Sequence, residues 1–232
     1  MPGLVSRLPH FLRPAYIDEA RFVVQSSVFL HLLEGVTLSG RCLNAGCGEM
    51  LYYRWLDSTP GLTHFVHMDL QTAPAKPLYG NQRHEAVPGS LTELPFPDNS
   101  FEFVFCTEVL EHIPDHHQAA AEISRVLSGG GFALISTPTP PAPFDPNHVR
   151  EGYRLEEMTQ LLEAHGFVVE KHLYTFHFLF RALYVVWIFL LRRVGRNQFS
   201  PMPRFVLRGW SHLARMLPFG KPWDIAVIAR KV

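Results

Sequence analysis

The stretch "LNAGCGEM" sets Gly46 and Gly48 one residue apart directly after an apolar run, and Asp69 closes "THFVHMD" 21 positions beyond Gly48. Glycines so spaced let the backbone turn tightly and come close to a ligand. Placed ahead of a helix, they also aim backbone N–H groups at it. A carboxylate ending the next strand can accept both hydroxyl hydrogens of a ribose. The pairing therefore points to a nucleoside-containing cofactor. A second group sits in "CTEVLEHIPD", which holds Thr107, Glu108, Glu111 and His112, with His148 in "DPNHVREGY". Histidine is the side chain best poised to take a proton near neutral pH, so His112 and His148 are the candidate general bases. With 13 histidines in the chain, each alone is a modest signal. Glu108, Glu111 and His112 have the i, i+3, i+4 spacing that puts three ligating groups on one face of a helical turn, with His148 as a fourth. The same letters also suit plain loop packing, and no metal is assigned to them.

These residues need elements to hold them. Residues 17–35 carry Phe22, Phe29 and Leu33 near helical spacing, with Gly35 as a stop. Strands follow at "RCLNA", "THFVHMD", "HEAVP" and "FEFVFC". His116 to Leu127 reads as a helix stopped by Gly129, Gly130 and Gly131, and leads into the strand "FALIST". Leu155 to His165 is a further helix, followed by "FVVEKHLY" and, after a long basic insertion, by "WDIAVIAR". Strands alternating with helices across short turns predict an α/β, doubly wound and largely parallel sheet. Ligands of such sheets bind beyond the strands' carboxyl ends, where both residue groups fall. A dinucleotide fingerprint would need a third glycine where Leu51 stands, which counts against NAD.

The segments "LNAGCG", "HMDL", "GSLTELPFPDNSFEFVFCTEVLEHIPD", "AAAEISRVLSGGGFALISTP" and "HVREGYRLEEMTQLLEAHGF" resemble the class I S-adenosylmethionine-dependent methyltransferases. The likeness is to the type 11 group, which includes the quinone-biosynthesis enzymes. It covers roughly residues 40–175 and the last strand, and it implies a Rossmann-like seven-stranded sheet with an antiparallel last strand. It also implies S-adenosylmethionine as cofactor. Asn44, Ala45, Gly46, Cys47 and Gly48 would approach the methionine part of that cofactor. Asp69 would hold the ribose, with Leu70 beside the adenine. Ser90 and Leu91 would border the adenine edge, and Thr107 and Glu108 would floor the sulfonium. Asn44 stands where relatives often carry an acid, and Ser90 where they often carry Asp. Some relatives bind a divalent ion through Glu-x-x-Glu-His sets. Methyl transfer needs mainly proximity and orientation, with a base only where the acceptor must lose a proton. The absence of a nucleophile triad is thus expected.

Composition sets the remaining expectations. The 232 residues, 47% hydrophobic and 18% charged, suit one globular domain. It divides into a helical segment (1–39), a cofactor-binding core (40–175), an apolar and basic helical insertion (176–222) and the last strand (223–232). Cys42, Cys47 and Cys106 form no even disulfide set and no CxxC pair, which with the lack of a signal-peptide core predicts a cytoplasmic protein. From residue 176 onward ten basic residues face Asp224 alone, although the whole chain is neutral. Such a tail suits an anionic surface. Ten apolar residues, Ala182 to Leu191, make a helix of ~15 Å, too short for a hydrocarbon core of ~30 Å. In "RFVLRGWSHLARML" Val206, Trp210, Leu213 and Leu217 share one helical face and Arg204, Arg208, Ser211 and Arg215 another, the pattern of a membrane-surface helix. The insertion is therefore expected to be a lid or a peripheral membrane contact. The expected acceptor is a small or lipid-like molecule, methylated at oxygen. Nucleic acid is disfavoured: no Asn/Asp-Pro-Pro-aromatic loop follows the fourth strand, and Cys106 lacks the preceding proline of a cytosine-attacking thiol. Two alternatives are a non-catalytic cofactor binder working through its basic tail and an NAD-dependent oxidoreductase. Oligomeric state is left open.

Overall fold

The computed structural model describes residues 14–15, 17–71, 81–141, 145–193, 202–217 and 219–232. Arg7, Arg13 and Arg196 lie outside the described residues, as do the side chains of Arg181, Arg192, Arg193, Arg204, Ser211 and Arg215. The chain forms two compact units, one of Phe29–Tyr174 with Trp223–Val232 and the other of Met1–Val28 with Thr175–Pro222.

In the larger unit a seven-stranded sheet runs β1 (Gly40–Ala45), β2 (Leu62–Asp69), β3 (His84–Pro88), β4 (Phe101–Thr107), β5 (Leu127–Pro138), β6 (Phe167–Thr175) and β7 (Asp224–Lys231). Their order across the sheet is β3-β2-β1-β4-β5-β7-β6. β1 pairs parallel with β2 and β4, placing Leu43 beside Val66 and Val104, whereas β7 runs antiparallel to β5 with Leu134 opposite Ile228. The doubly wound sheet with its antiparallel last strand is the predicted one. The order reverses between β1 and β4, so the carboxyl ends of β1, β2 and β4 flank one switch point. The glycine turn follows β1, Asp69 closes β2 and Glu108 to His112 follow β4, whereas His148 comes after β5.

Alternation decides which side chains meet. Leu43, Val66, Val104 and Ile135 share one core with Ala119 and Ile123 of α3 (His116–Val126) and Met158 and Leu162 of α4 (Leu155–Glu163). A separate aromatic group joins Phe29, from the end of α1 (Ile17–Leu32), to Tyr52, Trp55 and Phe105, with ring centroids 5.5–5.7 Å from Phe29. Trp55 belongs to the short α2 (Tyr53–Asp57). The α3 helix starts where the Asp115 carboxylate accepts the Gln118 N–H at 3.0 Å. It ends sooner than predicted, at Val126, because β5 begins at Leu127. Gly129, Gly130 and Gly131 are therefore no helix stop. They lie inside β5, where the pairing with β4 jumps from Phe101–Leu127 to Phe103–Phe132 and the extra residues form an irregularity.

The smaller unit holds α5 (Phe178–Arg193) and α6 (Arg204–Met216), with Pro14–Ala15 pairing antiparallel to Met202–Pro203. Phe180 of α5 stacks on Trp210 of α6 at 4.9 Å, and the Phe178 N–H donates to the Phe219 carbonyl at 3.0 Å. At 16 residues α5 is longer than the ten-residue apolar run, and it starts only after β6 has ended at Thr175. Its ~24 Å still falls short of a bilayer core. Among the described residues no helix is long and apolar enough to cross a membrane.

Candidate active site

The glycine turn is stapled to the end of β2. The Gly46 and Cys47 N–H groups both donate to the Met68 carbonyl, at 2.8 and 2.9 Å, and the Gly48 N–H donates to the Asp69 carboxylate at 2.8 Å. The Asp69 carbonyl in turn accepts the Gly89 N–H at 2.9 Å, which ties in the end of β3. Gly46 sits at φ +73°, where a Cβ would strike the Val109 side chain. Gly48, at φ +46°, has open space where its Cβ would be. The turn is therefore closed on the protein side and open on the other. Met50 also occupies the left-handed region, at φ +58°, and is held there by burial with Cys47 and Tyr53. Burial, with Asp69 second, pushes the Cys47 thiol up to about 12, so it is no nucleophile.

The other predicted cofactor residues are placed unevenly. Ala45 is fully buried in the core and offers only its backbone to a ligand, and Leu91 is a core residue as well. Leu70 is largely exposed. The Ser90 hydroxyl bonds Thr92 Oγ1 at 2.8 Å. Thr107 is half-buried at the end of β4, and Glu108 turns at φ +57° with its N–H on the Ser136 carbonyl and its carboxylate on the Ser136 hydroxyl at 2.7 Å. Asn44 is buried and donates to His67.

The second group is held by a turn and a strap. Leu110–His112 is a single 3-10 turn, and the segment 145–150 is laced to it. The His112 Nδ1–H donates to the Asn147 carbonyl at 3.0 Å, and the Val149 N–H to the Glu111 carbonyl at 3.0 Å. Arg150 donates to the carbonyls of Leu110 at 2.6 Å, Ile113 at 2.7 Å and Pro114 at 3.0 Å. With Nδ1 committed as donor, His112 Nε2 carries the lone pair. It lies 3.8 Å from the buried Glu111 carboxylate, while the His148 ring meets the His112 ring edge-on at 4.6 Å. A proton taken at Nε2 would make an imidazolium beside the buried Glu111 carboxyl group, an arrangement suited to a general base. The Asn147 N–H first, then the two histidines, hold the Asp145 carboxyl below the usual carboxylate range.

One expectation is corrected. Glu108, Glu111 and His112 do not share a helical face, because the positive φ of Glu108 puts it outside the turn and Ser136 holds its carboxylate. Of the four candidates, Glu111, His112 and His148 bring ligand atoms within 4.8 Å of one another. Arg150, Asn147 and Ser136 also hold the site, beyond the residues expected there. Arg150 and Asn147 act on or through backbone carbonyls, for which side-chain spacing gives no signal.

Residues 43–135 match the methyltransferase domain family. Over residues 43–135 the chain carries a methyltransferase domain similar to those of the S-adenosylmethionine-dependent methyltransferases. Over 96 residues the chain is 43% identical to a probable S-adenosylmethionine-dependent methyltransferase of Mycolicibacterium smegmatis, covering 38% of this chain and 37% of that one. It is 45% identical to a demethylmenaquinone methyltransferase of Listeria welshimeri over 60 residues, a quarter of each chain. The chain thus spans well under two thirds of the length of the curated relatives it matches. The crystal structure of an S-adenosylmethionine-dependent methyltransferase from Mesorhizobium loti superposes with TM-score 0.58 at 18% identity, covering 90% of this chain and all of that one, and shows the shared fold. The family's cofactor fits the residues present: the space above Gly48 admits a ligand, and the Asp69 carboxylate at its rim suits hydroxyls.

Proposed function

We propose that the chain transfers the methyl group of S-adenosylmethionine to a hydroxyl of a lipid-like acceptor reached at an anionic membrane surface. The observation that carries the reading is the succession of the open Gly48–Asp69 rim and, beyond Val109, the His112–Glu111 pair. The cofactor supplies a sulfonium methyl whose leaving group departs as a neutral thioether and needs no acid. The chain's residues do the rest. Gly46 to Gly48 and Asp69 bind and orient the cofactor, Asp69 as acceptor for the ribose hydroxyls. His112 Nε2 takes the acceptor's hydroxyl proton, which favours methylation at oxygen, with His148 beside it.

The smaller unit supports the lipid-like acceptor. Val185, Val186, Phe189 and Leu190 on α5, and Phe205, Leu213 and Met216 on α6, are exposed large apolar residues at helical spacing. Phe180 and Trp210 take the packed side. Exposed apolar faces of this extent mark interaction sites, and the basic excess of this segment selects an anionic partner. The Listeria relative, named for demethylmenaquinone, agrees with an apolar acceptor.

Titration calorimetry with S-adenosylhomocysteine should show binding, and Asp69→Ala should weaken it ~10- to 100-fold, the loss of hydrogen bonds to a charged group. Labelled methyl from S-adenosylmethionine should then appear in a lipid extract. Binding without any turnover would favour the non-catalytic alternative, and binding of NAD in place of S-adenosylhomocysteine would favour the oxidoreductase. Vesicles of phosphatidylglycerol should float the protein while phosphatidylcholine vesicles do not. The pair Phe205→Asp with Leu213→Asp should abolish flotation and leave the S-adenosylhomocysteine affinity unchanged. Flotation by both vesicle types, or by the paired variant, would sink the membrane contact.

A further inference from the structure

A buried polar line crosses the cofactor half of the sheet. Asn44 of β1 and His67 of β2 are neighbours in register, and His84 of β3 sits two residues before Ala86, the partner of His67. All three residues are buried. Asn44 Nδ2 lies 3.0 Å from His67 Nδ1, His67 Nε2 lies 3.0 Å from His84 Nδ1, and His84 Nε2 lies 2.9 Å from the Asp57 carboxylate. The two imidazoles are parallel within 8°, Phe65 stacks on His84 at 4.6 Å, and Tyr53 covers it at 4.6 Å. These contacts fix the ring planes, so the only freedom left is where the hydrogens sit.

That freedom has two solutions. The Asp57 carboxylate only accepts, so His84 Nε2 carries a hydrogen in both. With one hydrogen on each ring, His84 Nδ1 accepts from His67 Nε2, and His67 Nδ1 accepts from the Asn44 NH₂. With one proton more, His84 Nδ1 becomes a donor, His67 Nε2 must accept, and the hydrogen of His67 lies on Nδ1. Only a carbonyl oxygen can receive that hydrogen, so the Asn44 amide must turn by half a rotation. The balance is simple. A proton enters at His67 Nδ1, the Nε2 hydrogen of His67 passes to His84 Nδ1, and the positive charge rests on His84 against Asp57. On the side away from His67, Asn44 presents oxygen in the first state and NH₂ in the second.

We propose that Asn44, His67, His84 and Asp57 form a two-state hydrogen-bond relay, in which uptake of one proton reverses the Asn44 amide and resets the Gly46–Gly48 loop two residues on. His67 and His84 are then positioning residues of the cofactor site, a role that rests on the reading of that site given above. Burial, with His84 second, pushes His67 down to about 4, which disfavours charge on His67 itself. The other groups facing His84 are Arg83, whose Nη1 donates to the same Asp57 oxygen at 3.1 Å, and Tyr53 of α2. Arg41 of β1, His64 of β2 and Glu85 of β3 line a pocket of ≈ 320 Å³ with His84. The Asp57 and Glu85 carboxylates favour a cation on His84, the Arg83 and Arg41 guanidiniums oppose it, and the acid form is the second state.

The test is a long-range ¹H–¹⁵N titration of the imidazole nitrogens in the full chain from pH 8 to pH 5. At pH 8 both rings should carry hydrogen on Nε2. On acidification the His67 hydrogen should move to Nδ1 in step with double protonation of His84. A His67 that keeps its Nε2 hydrogen while His84 titrates would overturn the relay. Asp57→Asn keeps an acceptor for His84 but removes the charge, so the pH 8 pattern should persist and the joint transition should fall by about one pH unit or more. A transition that does not move would overturn the role of Asp57. Calorimetry with S-adenosylhomocysteine across the same range should show a change of ~tenfold in Kd at that transition, the value of one exchanged hydrogen bond. A flat Kd through the tautomer change would detach the relay from the loop. Failure to bind at every pH would instead remove the cofactor reading, and the tautomer titration would still decide the relay.

Discussion

Gly46→Ala is expected to cost about 2–4 kcal/mol of stability and to weaken S-adenosylhomocysteine binding at least ~tenfold. Two costs meet at this position. The residue sits at φ +73°, a conformation that penalises any Cβ by about 1–2 kcal/mol. The new methyl would also collide with Val109, whose Cγ1 lies 2.9 Å from it and whose Cγ2 is nearer still. A β-branched side chain has little rotamer freedom with which to withdraw. Val109 instead has to shift with its backbone, between Glu108, already at φ +57°, and the turn Leu110–His112. The injury thus reaches both ends of the site. The distinguishing prediction is the double variant. Val109→Ala alone should lose about 1 kcal/mol for a partly buried pair of methyls. Combined with Gly46→Ala it should recover at least about 1 kcal/mol of the expected sum, since the clash is gone and only the backbone cost stays. Urea melts of the four proteins measure this, and strict additivity would show that Val109 is not the obstacle.

The same chemistry explains what could be read from the chain unaided. "FVFC" (103–106) and "IAVIA" (225–229) are uninterrupted apolar runs, and such runs become strand segments covered on both faces, as in β4 and β7. The Gly46–Gly48 turn and Asp69 were legible because adjacent strand ends meet once the strand order is assumed. Other features depend on register or on backbone partners. His67 and His84 are 17 residues apart and touch only because β2 and β3 pair with Phe65 opposite His84. Gly129 to Gly131 look the same in a helix stop as in a strand irregularity, and only the start of pairing at Leu127 decides between them. Met50 shows no sign of its left-handed backbone, because what holds it is burial against Cys47 and Tyr53.

Arg150 is the clearest case of a residue hidden from spacing arguments, and its removal should have the largest effect on turnover at the smallest cost to cofactor affinity. Its guanidinium serves three carbonyls, those of Leu110, Ile113 and Pro114, which gather on the inside of the turn that carries Glu111 and His112. A planar fork spreads its donors over divergent acceptors, whereas an ammonium carries its three donors on one atom. Arg150→Lys should therefore behave much like Arg150→Met, leaving at least two of these carbonyls short of a donor and costing about 2–3 kcal/mol in urea denaturation. The strap that positions His112 through the Asn147 carbonyl and grips Glu111 through Val149 would loosen with it. Methyl transfer into the lipid fraction should fall by ~tenfold or more, because a misplaced base loses the orientation on which the reaction depends. The Kd for S-adenosylhomocysteine should stay within about twofold, since the Gly48–Asp69 rim is anchored independently to Met68 and Gly89. A Lys variant with normal turnover would mean that charge alone at residue 150 suffices. An equal loss in Kd and turnover would mean that the strap supports the whole site and not His112 in particular.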